Sequence, residues 1–237
     1  DINPCQGFRQ QGCCHGTSVP DSVGPERVQL LQAYGAEIVF SEGSKGTNGS
    51  ILMAQEMASH NGMYFMPYQY GNQSNPLAHY EGTGAEILRD LPEITHFVAG
   101  LGTGGTLMGV GRRLKEHNPS IKIVAAAPHP DEFIQGLRSL EEGFIPPILD
   151  LDMLDARMLV RTVDSLRMTS DFLHKEGIFA GASSGAVLDT AIRVAERIDT
   201  GNIVCLLADG GWKYLSTQLW TKSYKELPAD MEGKIWW

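Results

Sequence analysis

The stretch from Thr95 to Glu116 constrains the fold of this chain more than any other. It reads THFVAGLGTGGTLMGVGRRLKE: a short apolar run of strand type, six glycines from Gly100 to Gly111, and then a helical pattern. A strand that leads through glycines into a helix presents free backbone N–H groups at the positive end of the helix dipole. Glycine lets an anion approach the backbone closely, and Thr103 and Thr106 can add hydroxyl donors. The stretch predicts a site for a phosphate group.

The same glycines partly match the motif of a dinucleotide site. Gly100, Gly102 and Gly105 satisfy the spacing G-x-G-x-x-G between a strand and a helix. A dinucleotide site also has an acidic residue about 20 residues further on, where it binds the ribose. Here the next predicted strand, 121–127, ends in three alanines followed by proline and has no acid. We therefore expect a site for one phosphate, with a glycine-rich turn that binds nothing as the alternative.

Composition narrows the class of protein. The chain has 237 residues and a net charge of −9, and this charge argues against nucleic acid as the main partner. No apolar run approaches the ~20 residues that a membrane span needs, and no secretory signal peptide is visible. We expect a globular cytoplasmic protein with neither a membrane nor a nucleic-acid partner.

Three of the four cysteines, Cys5, Cys13 and Cys14, lie in the first 14 residues. Together with His15 they suggest a zinc site, but the repeated C-x-x-C or H-x-x-H spacing of zinc sites does not follow, so no metal is expected. Cys205, inside the apolar run NIVCLLAD, is predicted to be a buried core thiol. This use of cysteine suits a reducing cytosol.

Strand-type and helix-type segments alternate along most of the chain. A helix is predicted from Pro25 to Gly35, with proline at its start and glycine at its end. Residues 1–17 are expected to be irregular, residues 63–68 to form a buried strand or an inter-domain crossover, and the long polar loop 69–84 to be functional. The alternation predicts an α/β protein with a largely parallel sheet. Besides the strand at 95–99, the predicted segments are strands 37–40, 121–127, 158–163 and 203–208, helices 48–59, 85–90, 105–117 and 165–175, and a long helix ending at 198.

A second group of small residues opens a helix at Gly181 to Gly185. Ser183 and Ser184 lie there, directly after a strand-like turn. A serine at such a position most often caps the helix. The α/β sheet is also expected to contain the glycine-rich turn that follows residue 99, which we call the glycine loop. In that setting the serines can instead mark a second helix start that faces a ligand. Both interpretations stay open on the residues alone.

Four motifs taken together resemble a known family. GLGTGGTLMG, QYGNQSNPLAHYEGTG, EGIFAGASSGAV and DGGWKYLST are similar to motifs of the β-family (fold type II) pyridoxal-phosphate enzymes, and the cysteine synthases are the nearest group. The resemblance extends over roughly Val19 to Trp237. It implies the tryptophan synthase β-like α/β fold, with residues 1–64 as a remnant of the smaller N-terminal domain. Residues 65–237 would then be the larger, cofactor-phosphate-binding domain with a C-terminal tail.

The resemblance also implies a cofactor, pyridoxal 5'-phosphate, and the residues that hold it. Ser183 matches the serine that hydrogen-bonds the pyridine nitrogen, where a neutral hydroxyl leaves the ring unprotonated and suits β-elimination. Gln69 matches a glutamine near the substrate carboxylate. The phosphate-binding loop of the family corresponds to Gly102, Thr103, Gly104, Gly105 and Thr106.

Finer features resemble the actinobacterial branch of the family, which uses O-phosphoserine. In FIQGLRSLEEGFIP, Arg138 matches an arginine that recognises the substrate phosphate, because the planar guanidinium can donate to two phosphate oxygens at once. The alternative is a surface arginine on a helix beside Glu141 and Glu142. The tail MEGKIWW resembles that branch's C-terminal lid, although Trp236 and Trp237 can also be packing residues. The implied partners are a small-molecule amino-acid substrate, a small ubiquitin-like sulfur-carrier protein and a second copy in a homodimer.

The chemistry of the family needs a lysine that forms a Schiff base with the cofactor. Neither the N-terminal S-x-K motif that carries it nor the family's Ser-Gly-Asn loop occurs in this chain, and Lys45 lies in the wrong part of the fold. Smaller departures from the family pattern are Ala127, Gln73 and Ala85. We expect no catalytic residue in this chain and no activity from it alone. It is then either a truncated or misread synthase, which we favour, or a short form without catalysis.

The implied reaction is a β-replacement on O-phosphoserine or O-acetylserine with a sulfur donor, giving L-cysteine. A serine/threonine dehydratase or a cystathionine synthase of the same fold is the runner-up. A non-catalytic binding protein is the rival of a different class, and an NAD-dependent oxidoreductase is disfavoured by Ala127.

Overall fold

A computed structural model describes residues 16–21, 23–60 and 64–222, in two compact units. One unit is formed by the described residues up to Pro67 together with those from Gly210 onward, and the other spans Tyr68–Asp209. The predicted domain boundary between residues 64 and 65 stays a prediction. Cys5, Cys13, Cys14 and the lid-like tail with Trp236 and Trp237 lie outside the described residues.

The described residues of the first unit form a pair of parallel strands, two α-helices and two short 3-10 helices. Strand β1 (Gly16–Pro20) pairs with β2 (Glu37–Ser41) from Gly16 opposite Glu37 to Pro20 opposite Ser41. Between them lies helix α1 (Pro25–Ala33), and after them α2 (Gly46–Ser59). Proline begins α1 as predicted, and Gly35, with φ +74°, follows its end in the left-handed conformation that glycine adopts easily.

The second unit is an α/β layer structure with a four-stranded parallel sheet in the order β5-β4-β3-β6, which confirms the predicted fold class. Side chains alternate across β3, so that Phe97 and Ala99 lie in one hydrophobic cluster and Val98 in the other. Helix α5 packs into the first cluster and α7 into the second. The elements are β3 (His96–Gly100), β4 (Lys122–Pro128), β5 (Ala156–Val160), β6 (Ile203–Cys205), α3 (Ser74–Ala78), α4 (Gly84–Asp90), α5 (Gly105–His117), α6 (Thr162–Glu176) and α7 (Ala182–Ala195).

Helix α5 confirms the predicted helix 105–117, but several other boundaries differ from the prediction. Strand β5 ends at Val160 rather than at 163, because the Glu132 carboxylate accepts the N–H of Thr162 and so satisfies the start of α6. Strand β6 ends at Cys205, which is only partly buried rather than a full core residue. That burial raises the pKa of the Cys205 thiol.

Two segments before β3 differ in part from the prediction. The apolar residues from Tyr64 to Tyr68 form no strand, and the Phe65 side chain is 78% exposed, so the buried-strand alternative is wrong. The alternative of an inter-domain crossover stands, because the two units divide between Pro67 and Tyr68. The polar loop 69–84 is not a plain connector, because it contains α3 and a π-helical turn at His79–Thr83. Residues 16 and 17, expected to be irregular, belong to β1, whose partner strand lies about 20 residues away and could not be identified locally.

No helix in the described part of the chain has both the length and the apolar character needed to cross a membrane.

Candidate functional site

The glycine loop lies where β3 meets α5. Gly104 is the N-cap of α5 in the left-handed conformation, with φ +89°, and it has no side chain to cap the helix. The Gly105 N–H donates to Thr103 Oγ1 at 3.2 Å, and the Met108 N–H donates to the Gly104 carbonyl at 2.9 Å. No backbone hydrogen bond from the amides of Thr106 or Leu107 is found within the described residues. Two amides at the positive end of the helix dipole are thus available, and this donor set fits a phosphate group.

Asn75, which no sequence motif marked, holds this loop against the polar segment 69–84. Its Nδ2 donates to the Gln69 carbonyl at 2.8 Å and to Thr103 Oγ1 at 3.0 Å. The approach is so close that a Cβ at Gly105 would overlap the Asn75 amide. The backbone of Gln69 is therefore tied to the glycine loop, while the residue itself is exposed. The sequence signal that could have identified Asn75 is an asparagine directly before a proline in an otherwise polar loop.

His79 supports the loop from the π-helical turn. Its Nε2 lies 3.2 Å from Thr106 Oγ1, and its Nδ1 lies 3.0 Å from Thr83 Oγ1. Burial lowers the pKa of His79, so the ring is neutral near pH 7. A neutral imidazole has one donor and one acceptor, and this pairing can hold the Thr106 hydroxyl in a fixed orientation. π-Helical turns are frequent at functional sites.

We expect His79 to make stability depend on pH. Because its pKa is lower in the folded state, the unfolded state takes up a proton first as the pH falls below the ordinary histidine pKa of about 6.5. The free energy of unfolding should therefore decrease with pH in that window. His79→Asn should remove part of this decrease. The part that remains is the contribution of His96, because burial also lowers the pKa of His96.

Urea unfolding at about pH 7.5 and about pH 5.5 measures this effect. Replacement of the exposed His174 by asparagine is the matched control for the substitution itself. An identical pH dependence in the native chain and in His79→Asn would contradict the assigned role.

The segment after β4 brings three of the predicted features together. The Arg138 N–H donates to the Leu101 carbonyl at 2.8 Å. The Gly136 carbonyl lies 3.2 Å from the position that a Cβ at Gly102 would take. A Cβ at Gly136, where φ is +85°, would lie 3.6 Å from Ser183 Oγ. The glycine loop, the serine helix start and the arginine segment therefore meet at the carboxyl ends of β3 and β4, where ligands bind in α/β sheets.

Ser183 is not the cap of α7. The N-cap is Gly181, whose N–H donates to the Asp209 carbonyl at 2.9 Å, and Ser183 lies in the first turn with 6% exposure. No hydrogen bond of the Ser183 hydroxyl is found within the described residues. Ser165 Oγ instead anchors the helix start, donating to the Ala182 carbonyl at 2.9 Å. The capping interpretation is therefore wrong, and the hydroxyl can serve a ligand.

Arg138 is not a surface residue on a helix. It is 5% exposed, and its guanidinium carbon lies 5.3 Å from the ring centroid of Tyr70 and 4.9 Å from that of Phe144. Glu141, expected to be its neighbour on a surface helix, pairs with Arg157 at 2.8 Å. This pairing and a hydrogen bond from Ser139 lower the pKa of Glu141 to about 2. The alternative interpretation of Arg138 fails because the segment crosses the glycine loop instead of forming a surface helix.

The lysines of the second unit lie away from the glycine loop. Lys115 and Lys122 both bind Asp155, at 2.7 and 3.0 Å, at the end of the sheet where β4 begins. Lys175 pairs with Asp171 on α6. In the first unit, Lys45 is exposed, and its hydrogen bond to Glu42 raises its pKa, the opposite of what a nucleophilic lysine needs.

Comparison with known proteins gives consistent matches. A family model described as pyridoxal-phosphate dependent enzyme matches residues 13–209. The chain is 39% identical over 211 residues to the cysteine synthase of Aquifex aeolicus (strain VF5), covering 86% of this chain and 64% of that protein. The crystal structure of cysteine synthase from Entamoeba histolytica has a TM-score of 0.83 at 31% identity, covering 96% of this chain and 72% of that one. That of O-ureido-L-serine synthase has a TM-score of 0.84 at 33% identity, covering 95% and 75%. The chain thus spans slightly less than two thirds of the Aquifex protein.

Proposed function

The chain belongs to the family of pyridoxal-phosphate-dependent enzymes, and from that premise we propose that it supplies the cofactor-phosphate and substrate-recognition part of a cysteine synthase. The reaction is a β-replacement on O-phosphoserine, or O-acetylserine, in which a sulfur donor gives L-cysteine. Because this chain lacks the lysine that bonds to the cofactor, it is inactive alone. The small-molecule amino-acid substrate, a homodimeric partner and a small ubiquitin-like sulfur carrier are part of the same proposal.

The observation that carries the proposal is the meeting of three independent features around one short segment. Gly136 lies between Gly102 and Ser183, and Arg138 donates its N–H to the carbonyl that precedes Gly102. A helix start with available amides, a buried serine hydroxyl without a hydrogen bond among the described residues, and a buried cation are the groups that a phosphorylated pyridine and an anionic substrate require.

Each residue then has a defined task. The amides of Thr106 and Leu107 and the Thr106 hydroxyl, oriented by His79, hold the cofactor phosphate. Ser183 offers its hydroxyl to the pyridine nitrogen. When bound, the cofactor acts as an electron sink for carbanion chemistry. Arg138 binds the phosphate of the substrate, which is the leaving group, by donating N–H groups to its oxygens, and Gln69 lies near the substrate carboxylate.

A binding experiment tests the proposal on the chain itself. Pyridoxal phosphate should bind reversibly, and pyridoxal without the phosphate should bind at least about tenfold more weakly, because the phosphate contacts are charge-assisted. Absorbance titration gives both affinities. After borohydride reduction, mass spectrometry should find no stoichiometric adduct on any one lysine. Such an adduct, or equal affinity for the two compounds, would overturn the assignment.

A non-catalytic binding protein remains the second candidate, because the described part of the second unit has no lysine at the glycine loop. The two candidates separate when the chain is joined to the N-terminal segment of a relative that carries the lysine. Cysteine formation from O-phosphoserine and sulfide supports the synthase, and cofactor binding without product supports the binding protein.

A further inference from the structure

Thr83, His79 and Thr106 are joined by hydrogen bonds, and we name these three side chains the threonine–histidine network. Nδ1 of His79 lies 3.0 Å from Thr83 Oγ1, and Nε2 of the same ring lies 3.2 Å from Thr106 Oγ1. All three residues are partly buried, and no other hydrogen bond of the two hydroxyls is found within the described residues. The ring therefore connects the π-helical turn to the first turn of α5.

The backbone fixes the distance between the π-helical turn and α5. The Gly84 N–H closes the turn by donating to the His79 carbonyl, five residues back. On the side of α5, a Cβ at Gly109 would overlap the Pro76 carbonyl and would lie 2.7 Å from His79 Cβ. Gly109 comes three residues after Thr106, and residues three apart are neighbours on the surface of a helix. The imidazole is thus held between the turn and α5, with a hydroxyl at each of its nitrogens.

The hydrogen bonds of the network can run in two directions. The His79 ring is neutral near pH 7, so one nitrogen donates and the other accepts. If Nδ1 carries the proton, it donates to Thr83 Oγ1, and Nε2 accepts the Thr106 hydroxyl proton. If Nε2 carries the proton, it donates to Thr106 Oγ1, and Nδ1 accepts the Thr83 hydroxyl proton. Only the second direction leaves the Thr106 hydroxyl proton for another acceptor.

A phosphate group at the glycine loop favours the second direction. The amides of Thr106 and Leu107 lie at the positive end of the α5 dipole and have no backbone acceptor within the described residues. An anion bound there gains from a further O–H donor, whereas the lone pairs of Thr106 Oγ1 would repel its oxygens. Hydrogen bonds that follow one another in the same direction also strengthen each other.

We propose that Thr83 is a positioning residue for the cofactor phosphate: by donating to His79 Nδ1, it selects the Nε2–H form of the ring, which directs the Thr106 hydroxyl proton toward the phosphate. This inference rests on the proposed function and adds to it a residue that acts through two others. Valine has nearly the shape of threonine without the hydroxyl. Thr83→Val therefore removes the donor to Nδ1, and the ring can then accept the Thr106 proton at Nε2.

The first measurement observes the ring itself. In the full chain labelled with 15N-histidine, long-range proton–nitrogen spectra distinguish a ring nitrogen that carries a proton from one that does not. The His79 signals are identified by their absence in His79→Asn or, where that variant does not fold, in His79→Gln. With saturating pyridoxal phosphate at about pH 7.5, Nε2 should carry the proton. A proton on Nδ1 in that complex overturns the proposal, whatever the folding of the Thr83 variants.

The second measurement is binding of pyridoxal phosphate and of pyridoxal by absorbance titration. Thr83→Val should weaken pyridoxal phosphate binding about fivefold, the effect of one neutral hydrogen bond, and should leave pyridoxal binding unchanged. Thr83→Ser keeps the hydroxyl and should bind as the native chain does. Thr200→Val, the same substitution at an exposed position outside the network, is the matched control and should also bind as the native chain does.

The outcomes separate this inference from the proposed function. If the native chain prefers pyridoxal phosphate to pyridoxal and Thr83→Val keeps that preference in full, the role of Thr83 is refuted while the phosphate site stands. If the native chain binds the two compounds equally, both are refuted. If Thr83→Val weakens the two compounds equally, or if Thr83→Ser binds as weakly as Thr83→Val, Thr83 acts on the packing of the turn and the proposed role is wrong.

Discussion

Arg138→Ala is expected to reduce kcat/KM for O-phosphoserine by about a hundredfold or more, with a much smaller effect on O-acetylserine. The reason is that removing one partner of a desolvated, charge-assisted contact costs about 2–5 kcal/mol. The measurement uses the chain joined to the lysine-bearing segment of a relative, so that turnover can be followed. The ratio of the two specificity constants is the readout, because a general loss of folding would lower both.

Arg157→Ala is the matched control for this substitution. Arg157 pairs with Glu141 at 2.8 Å on the edge strand β5 and is partly exposed. Its loss should leave the substrate ratio unchanged, since surface ion pairs contribute little. Survival of O-phosphoserine turnover in Arg138→Ala at the native level would make Arg138 a bystander.

Gly185→Ala is expected to lower the free energy of unfolding by about 3 kcal/mol, near the upper end of overpacking effects. A Cβ at position 185 would overlap the Ser165 carbonyl and the Thr169 hydroxyl of α6, and a backbone carbonyl cannot move aside cheaply. The same strain would shift the first turn of α7, where Ser183 lies. Urea denaturation should therefore report a lower midpoint with an unchanged slope.

Gly82→Ala tests whether this loss is specific. Gly82 lies in the π-helical turn, and an added Cβ there would meet nothing within 4 Å. The substitution should be neutral or slightly stabilising, by up to about 1 kcal/mol, because alanine restricts the unfolded chain. A Gly185→Ala variant as stable as Gly82→Ala would mean that α6 and α7 do not pack as closely as the structure has them.

The fold class could be read from the sequence because its signals are local. Pro25 and Gly35 mark the ends of α1, and the apolar run before Gly100 marks the central strand. The errors arose where tertiary contacts decide the conformation. Whether the apolar segment 64–68 is buried depends on what covers it, and the early end of β5 depends on Glu132, which lies 30 residues away from Thr162 in the chain.

The candidate site was only partly predictable. The glycine loop and Ser183 carry compact motifs, and their helix starts are where the motifs predict them. The supporting residues Asn75 and His79 were missed because their roles come from contacts with Thr103 and Thr106, 28 and 27 residues away. The packing of Arg138 against the rings of Tyr70 and Phe144 was equally invisible, since the two rings meet only after the chain between them has folded.

The sheet is completed by a pairing between β3 and β6, whose matched residues His96 and Ile203 are 107 positions apart in the chain. A nascent chain leaving the ribosome therefore holds β3 and its glycine loop with one edge unpaired until β6 has been synthesised. Late closure of a parallel sheet is slow, since a long loop must be ordered before the contact forms. The unpaired edge of β3 is then open to pairing with other chains, so a tendency to aggregate during synthesis is the expected consequence for this chain.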